Sequence, residues 1–282
     1  MLYFFSAVKY NTPINNLTRK ERFIMKKLFV ILLALCMTLS CFAGCAADAD
    51  SDLAYVKDKG VLVVGITDYA PMDFLDENGE WTGFDAEFAQ LVAAELGVEV
   101  QFQLIDWSKK FFELESKEID AIWNGMTITD EVLLNTSCSD PYVVNAQVVV
   151  MNAAAAAGCT DVESLKGLVF AVEDESAGEG ALTDAGIDGY TEVLDQATAL
   201  MEVASGNADA CVIDITMANA MTGEGSGYPD LAVAMSLTSE EYGIGFRKGS
   251  DLTAAVNEIM AELMASGALQ ALADKYSLTL AG

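Results

Sequence analysis

Val61-Leu-Val-Val-Gly-Ile66, bounded by Gly60 and by Thr67-Asp68, opens the part of the chain whose order decides the fold. A short unbroken apolar run with this β-branched content predicts a buried strand. Apolar residues then recur at helical spacing at Phe84, Phe88, Leu91, Val92 and Leu96, and Gly97 follows as a C-cap. Val98–Ile105 returns to a strand pattern, Ser108 predicts the N-cap of a helix through Lys117, and Ile119–Trp123 reads as strand again. This strand–helix–strand–helix–strand order implies parallel pairing through right-handed crossovers.

A second series starts near Ala146. It predicts strands at Gln147–Met151, Leu168–Glu173, Tyr190–Leu194 and Ala210–Ile213, separated by helices at Asp161–Leu165, Gly178–Ala185 and Gln196–Ala204. Helix Ile215–Met221 and strands Leu231–Met235 and Tyr242–Phe246 follow, then helices Leu252–Ala265 and Leu269–Tyr276. The order predicts an α/β protein of two open-sheet lobes, the second inserted in the first. Residues 53–143 and 237–282 make the first lobe and 144–236 the second, with hinge crossings near Pro141–Ala146 and Ala232–Leu237. Ligands of open sheets sit beyond the carboxyl ends of the strands, and two lobes rotating about paired strands can close on a solute.

Composition narrows the chemistry. The chain has 15 Lys+Arg against 43 Asp+Glu and no histidine. Nucleic-acid binding draws on clustered basic charge, so it is excluded as a main activity. Without imidazole, Ser-His-Asp and Cys-His nucleophiles and most zinc sites are lost. No metal or cofactor is expected. Of the cysteines after Cys45, Cys138, Cys159 and Cys211 are far apart, which reads as free thiols, with one disulfide among them as the alternative.

The first residues carry an address. Met25-Lys26-Lys27 and the apolar run Leu28–Leu39 form a signal-peptide pattern over 25–44, too short for a comfortable span. It ends in Phe42-Ala43-Gly44-Cys45, which resembles a bacterial lipobox, so Cys45 is expected to be lipidated and 45–52 to act as a tether. Translation is expected to begin at Met25, with 1–24 a start-site artefact. The only arginine after Cys45 is Arg247.

Several segments together carry a family resemblance: Val63–Phe74, Asp76-Glu-Asn-Gly79, Thr82-Gly-Phe-Asp85, Lys117–Thr129, Ser139-Asp-Pro-Tyr142, Gly206–Ala210 and Glu241–Gly249. In this order and spacing the chain resembles the polar amino-acid substrate-binding proteins of ABC importers, extracellular solute-binding family 3. The resemblance implies a type II periplasmic-binding-protein-like clamp that delivers a small solute to a membrane ABC permease, acting as a lipid-anchored monomer and not as an enzyme. It further implies that Tyr69 and Trp107 sandwich the solute, with Met72 where an aromatic is usual and Asp68 beside them. Asn124, the Gly125 backbone and Thr127 would bind the head group, and Ser176 and Asp214 would close from the second lobe.

Two departures bear on the ligand. The family places a carboxylate-binding arginine where this chain has Val132, and Lys110 is the candidate substitute. The acidic loop Glu173-Asp174-Glu175 stands where relatives have a small neutral turn, so Glu175 entering the cleft would favour a cationic solute: a basic amino acid, or an amine lacking a carboxylate. A dehydratase-like enzyme or a sensor on the same fold are the remaining alternatives.

Overall fold

A computed structural model describes residues 51–282. The expected start at Met25, the signal peptide, Cys45 and the tether through Asp50 lie outside the described residues. The tether reading is corrected at its end: Ser51 N-caps helix Asp52–Lys59 by accepting from the Ala54 amide, and Gly60 closes it at φ 73°. Asp52 is 6 % exposed and pairs with Arg247, so it belongs to the folded body.

The first lobe runs through β1 (Val61–Ile66), the hairpin β2 (Phe74–Leu75) and β3 (Trp81–Thr82), helix Phe84–Leu96 and β4 (Glu99–Leu104). A 3₁₀ turn, Trp107–Lys109, and helix Lys110–Glu115 lead to β5 (Ala121–Ile122), and helix Asp130–Asn135 leads to β6 (Thr136–Cys138). The chain leaves this lobe on β7 (Val143–Asn145) and enters the second on β8 (Gln147–Asn152), followed by helix Ala153–Ala156 and the 3₁₀ turn Val162–Leu165. The second lobe continues with β9 (Phe170–Glu173), helix Ala177–Asp184, β10 (Tyr190–Val193), helix Gln196–Ala204, β11 (Ala210–Asp214), helix Ile215–Met221 and β12 (Leu231–Ser236). It returns on β13 (Glu240–Tyr242) and β14 (Gly245–Arg247) and ends in helices Leu252–Ser266 and Ala268–Tyr276.

Two five-stranded sheets result, in the orders β4-β1-β5-β14-β6 and β10-β9-β11-β8-β12. Strand β1 is parallel to β4 and β5, and β9 is parallel to β10 and β11, as the alternating pattern predicts. The returning chain adds antiparallel members: β14 against β5 and β6, and β8 against β11 and β12. The crossings pair with each other, β13 antiparallel to β7 with Glu240 opposite Asn145 and Tyr242 opposite Val143. This is a two-lobed α/β clamp with the second lobe inserted in the first.

Three sequence expectations shift. The second crossing lies after Ala232–Leu237, because β12 stays in the second sheet through Ser236. Tyr242–Phe246 is two strands rather than one: the chain changes sheet at Gly243, where a Cβ would meet Cys138 Sγ at 2.5 Å. Ser108 is not a helix cap; it donates its hydroxyl to Asp106 at 2.8 Å, and Asp106 caps the 3₁₀ turn instead. Cys138, Cys159 and Cys211 are all free.

The core that fixes the cleft floor is aromatic. Phe84 stacks on Tyr142 at 6.0 Å, and Phe88 meets Trp123 edge-on at 4.9 Å. Phe84, Phe88 and Trp123 are each fully buried, and such a side chain contributes about 1.5–3 kcal/mol. No helix among the described residues is long and apolar enough to cross a membrane.

Candidate ligand-binding cleft

The carboxyl ends of β1 and β5 set the first wall. Asn124 follows β5, accepts from the Thr67 amide at 2.9 Å and donates to the Thr67 hydroxyl at 2.7 Å, so the two strand ends are cross-tied. Gly125 takes φ 57°, and its amide donates to Asp85 at 2.6 Å. A Cβ here would lie 2.5 Å from the Tyr69 ring, so glycine is required on both counts. Trp107, 7 % exposed, starts the turn after β4, and Thr127 donates to Glu240 at 2.8 Å.

The opposing wall comes from β9 and β11. Glu173 ends β9, 4 % exposed, with Oε1 lacking a hydrogen-bond partner. Glu175 in the next turn is left-handed at φ 53°, and the Ser176 hydroxyl accepts from the Glu179 amide at the start of helix Ala177–Asp184. Asp214 ends β11 at the N-cap position of helix Ile215–Met221, but its side chain does not cap that helix. It accepts instead from the side-chain amides of Asn145, Gln147 and Gln196. Asn145 and Gln147 also donate to Glu240 on β13, both at 2.7 Å, so the hinge strands join the site.

Two adjoining cavities lie between these walls. The inner one, ≈ 20 Å³, is lined by Trp107, Asn124, Gly125 and Thr127 from one lobe and by Gln147, Glu173, Ser176, Gln196 and Asp214 from the other. That is space for about one water. The outer one, ≈ 340 Å³, shares Trp107, Thr127 and Ser176 and adds Lys110, Val132, Glu175 and Glu240.

The electrostatics are lopsided. Burial, then the Glu240 charge, raises the Asp214 carboxyl to about 6. Burial, then Asp214 and Asp195, raises Glu173 well above the usual range. Lys110 is 3 % exposed and is pushed down by burial, with Glu131, Glu175, Glu173 and Asp174 opposing that shift from a distance. Its ammonium donates to the carbonyls of Trp107 at 3.2 Å and Glu175 at 3.0 Å, and lies 5.0 Å from the Trp107 ring. The arrangement can hold a small polar molecule with a cationic end; it offers more carboxylates than ammonium groups.

The family described as bacterial extracellular solute-binding proteins, family 3, matches residues 62–279. The chain belongs to this family. The L-cystine-binding protein TcyJ of Escherichia coli is 32% identical over 248 residues, 85% of this chain and 92% of that protein. The arginine-binding extracellular protein ArtP of Bacillus subtilis is 29% identical over 89% of this chain and 98% of its own. The solved structure of an ABC uptake transporter substrate-binding protein from Streptococcus pneumoniae with bound histidine superposes with a TM-score of 0.75 at 26% identity, covering 81% of this chain and 96% of that one.

Against the family pattern, the structure gathers Trp107, Asn124, Gly125, Thr127, Ser176 and Asp214 around the inner cavity and Lys110 and Glu175 around the outer one. Three expected residues lie elsewhere. Tyr69 and Met72 are buried in the first-lobe core, and Asp68 is exposed outside both cavities. The cause is local: Tyr69 and Asp73 exchange backbone hydrogen bonds at 2.7 and 2.8 Å, turning this loop inward. The Tyr69 hydroxyl then bonds Thr216 of the second lobe and Tyr242. Val132, the position of the family arginine, does line the outer cavity, and it is 4 % exposed. Arg247 is on the far side, bidentate to Asp52 at 2.9 and 3.0 Å. Sequence reasoning missed Gln147, Gln196 and Glu240 as site residues; Glu173 was visible as the start of the acidic loop.

Proposed function

We propose that this chain is the extracytoplasmic substrate-binding component of an ABC importer, anchored through Cys45, and that it captures a small polar amino acid as a monomer by closure of its lobes. The observation that carries this reading is the inner cavity, where polar groups of both lobes converge at strand carboxyl ends with no space to spare. The open form would take the solute on Asn124, Gly125 and Thr127, and closure would add Ser176 and Asp214, so the ligand shifts the open–closed balance by its extra contacts. The closed form is then handed to the permease. The chain acts as a binder and not as an enzyme, in keeping with relatives such as TcyJ and ArtP, whose names describe binding.

A second reading, a cationic amine as ligand, draws on the clustering of Glu173, Asp214 and Glu240 with no arginine in the cleft. A thermal-shift screen of the chain from Ala46 against amino acids, polyamines and small carboxylates, with calorimetry on hits, separates the two. Saturating ligand at about 100 times its Kd stabilises the protein by about 2.7 kcal/mol, a readily seen shift. Stabilisation by a free α-amino acid supports the main reading. Stabilisation by amines alone supports the second, and no response to either class refutes both.

A further inference from the structure

Lys110 is a buried lysine of the cleft that no carboxylate of the described residues touches directly. It is 3 % exposed, yet no carboxylate oxygen among the described residues stands within salt-bridge distance of it. Its ammonium has three N–H donors and spends two on the carbonyls of Trp107 and Glu175, leaving one without a partner among the described residues. A buried charge in that condition is costly unless an opposite charge arrives. In the adjoining cavity the converse holds, because Glu173 is 4 % exposed and its Oε1 has no partner. Trp107, Thr127 and Ser176 border both cavities, so the Lys110 ammonium and the Glu173 carboxyl flank adjoining spaces.

We infer that Lys110 is the carboxylate receptor of this cleft: the solute's carboxylate lies against the Lys110 ammonium in the outer cavity while its cationic end reaches Glu173 and Asp214 in the inner one. The ligand is therefore a zwitterionic amino acid rather than an amine lacking a carboxylate. This rests on the solute-binding reading above and refines it. Val132 borders the same outer cavity as Lys110, so the cleft has an apolar residue on one side and its ammonium on another. A carboxylate-free amine would complete only half of the site, adding positive charge and leaving Lys110 buried and unmatched. Lys110 also reaches across the cleft to the Glu175 carbonyl, so a role as a closing contact alone must be told apart from recognition.

The test compares amino acids with their decarboxylated amines by calorimetry: L-arginine with agmatine, L-histidine with histamine, and L-cystine with cystamine. The wild-type chain from Ala46 is expected to prefer the amino acid of at least one pair by about ten- to a hundred-fold, the value of a charge-assisted hydrogen bond. In Lys110→Met that preference collapses to within about three-fold, through a loss of amino-acid affinity, and in Lys110→Arg it survives. Met replaces a buried charge by an apolar chain of similar length, so folding is expected to hold, and Lys110→Arg serves where it does not. A closing contact alone would weaken both members of a pair equally, so an unchanged preference in Lys110→Met overturns the inference while leaving the solute-binding reading intact. A wild-type chain that binds an amine of these pairs and none of the amino acids overturns the inference and the amino-acid reading together.

Discussion

Arg247 is the only arginine after Cys45, and its surroundings allow a sharp prediction about what it does. Its side chain is 10 % exposed. Nε donates to both Asp52 oxygens at 3.0 and 2.9 Å, Nη1 to the carbonyls of Leu114 and Ile119 at 3.2 and 2.7 Å, and Nη2 to Asp120 at 3.2 Å. Arg247→Met removes all five bonds. Asp120 keeps Lys59 at 2.5 Å and the Val63 amide at 2.8 Å, so it is not stranded. Asp52 keeps only Lys117 at 3.7 Å while its side chain is 8 % exposed. Breaking a buried ion pair from one side costs about 3–5 kcal/mol, and the surviving Asp120 contacts point to the lower end, about 3 kcal/mol. For a domain of this size that lowers Tm by about 6–12 °C. Differential scanning calorimetry reads the stability, and titration with the best ligand reads the function. Affinity is expected to stay within about two-fold, because the residue lies remote from the cleft. A Tm loss below about 2 °C, or a ten-fold loss of affinity, would refute the assignment of Arg247 to structure.

The cleft and its support give three more expectations. Asp214, Asp85 and Glu173 all have carboxyls raised by burial, Asp214 to about 6 and Asp85 to about 7, so the folded state holds protons that the unfolded state has released. Ligand-free stability should therefore rise as pH falls from 7.5 to 5.5, and a Tm that is flat or falling over that window contradicts the burial argument. Gly125→Ala must hold positive φ and push a Cβ to 2.5 Å from Tyr69, so a loss of at least about 2 kcal/mol in urea unfolding is expected; a neutral result refutes the required glycine. Asp214→Ala removes the acceptor of three amides and a site carboxylate, and calorimetry should show at least about a ten-fold loss of ligand affinity; binding that persists unchanged rules Asp214 out of the site.

The alternating apolar runs and helical stripes made both sheets legible, and helices Phe84–Leu96, Gln196–Ala204 and Ile215–Met221 fall at the expected residues. The short pieces were not legible for a physical reason. β7 and β13 are three residues each, too short to display a period, and they form only because the crossings lie side by side. The site divides the same way. Asn124, Ser176 and Asp214 are named through the family resemblance, and each stands at or just after the carboxyl end of a strand, where the topology places ligands. Glu240 and Gln147 meet through a hydrogen bond between residues 93 apart, which no local pattern announces. Tyr69 and Met72 line neither cavity: they sit in the core behind Gly125, in a loop tied by the Tyr69–Asp73 backbone exchange, and no sequence pattern announces that exchange.

The charges of the cleft bear on how closure and ligand are coupled. Asp68 of the first lobe lies near Asp195 of the second, and burial together with the Asp195 charge raises the Asp68 carboxyl. Glu240 on β13 stands beside Asp214, and the side-chain amides of Asn145 and Gln147 donate to both. Each carboxylate drawn into the closing cleft opposes closure by desolvation and by repulsion. A cationic group arriving there reverses both effects, since it makes the ionised carboxylates favourable where they had been costly. On the proposed closing mechanism, a cationic group would thus favour closure over the ligand-free chain. Lys110, reaching the Glu175 carbonyl from the first lobe, is a contact between the walls that does not depend on a ligand.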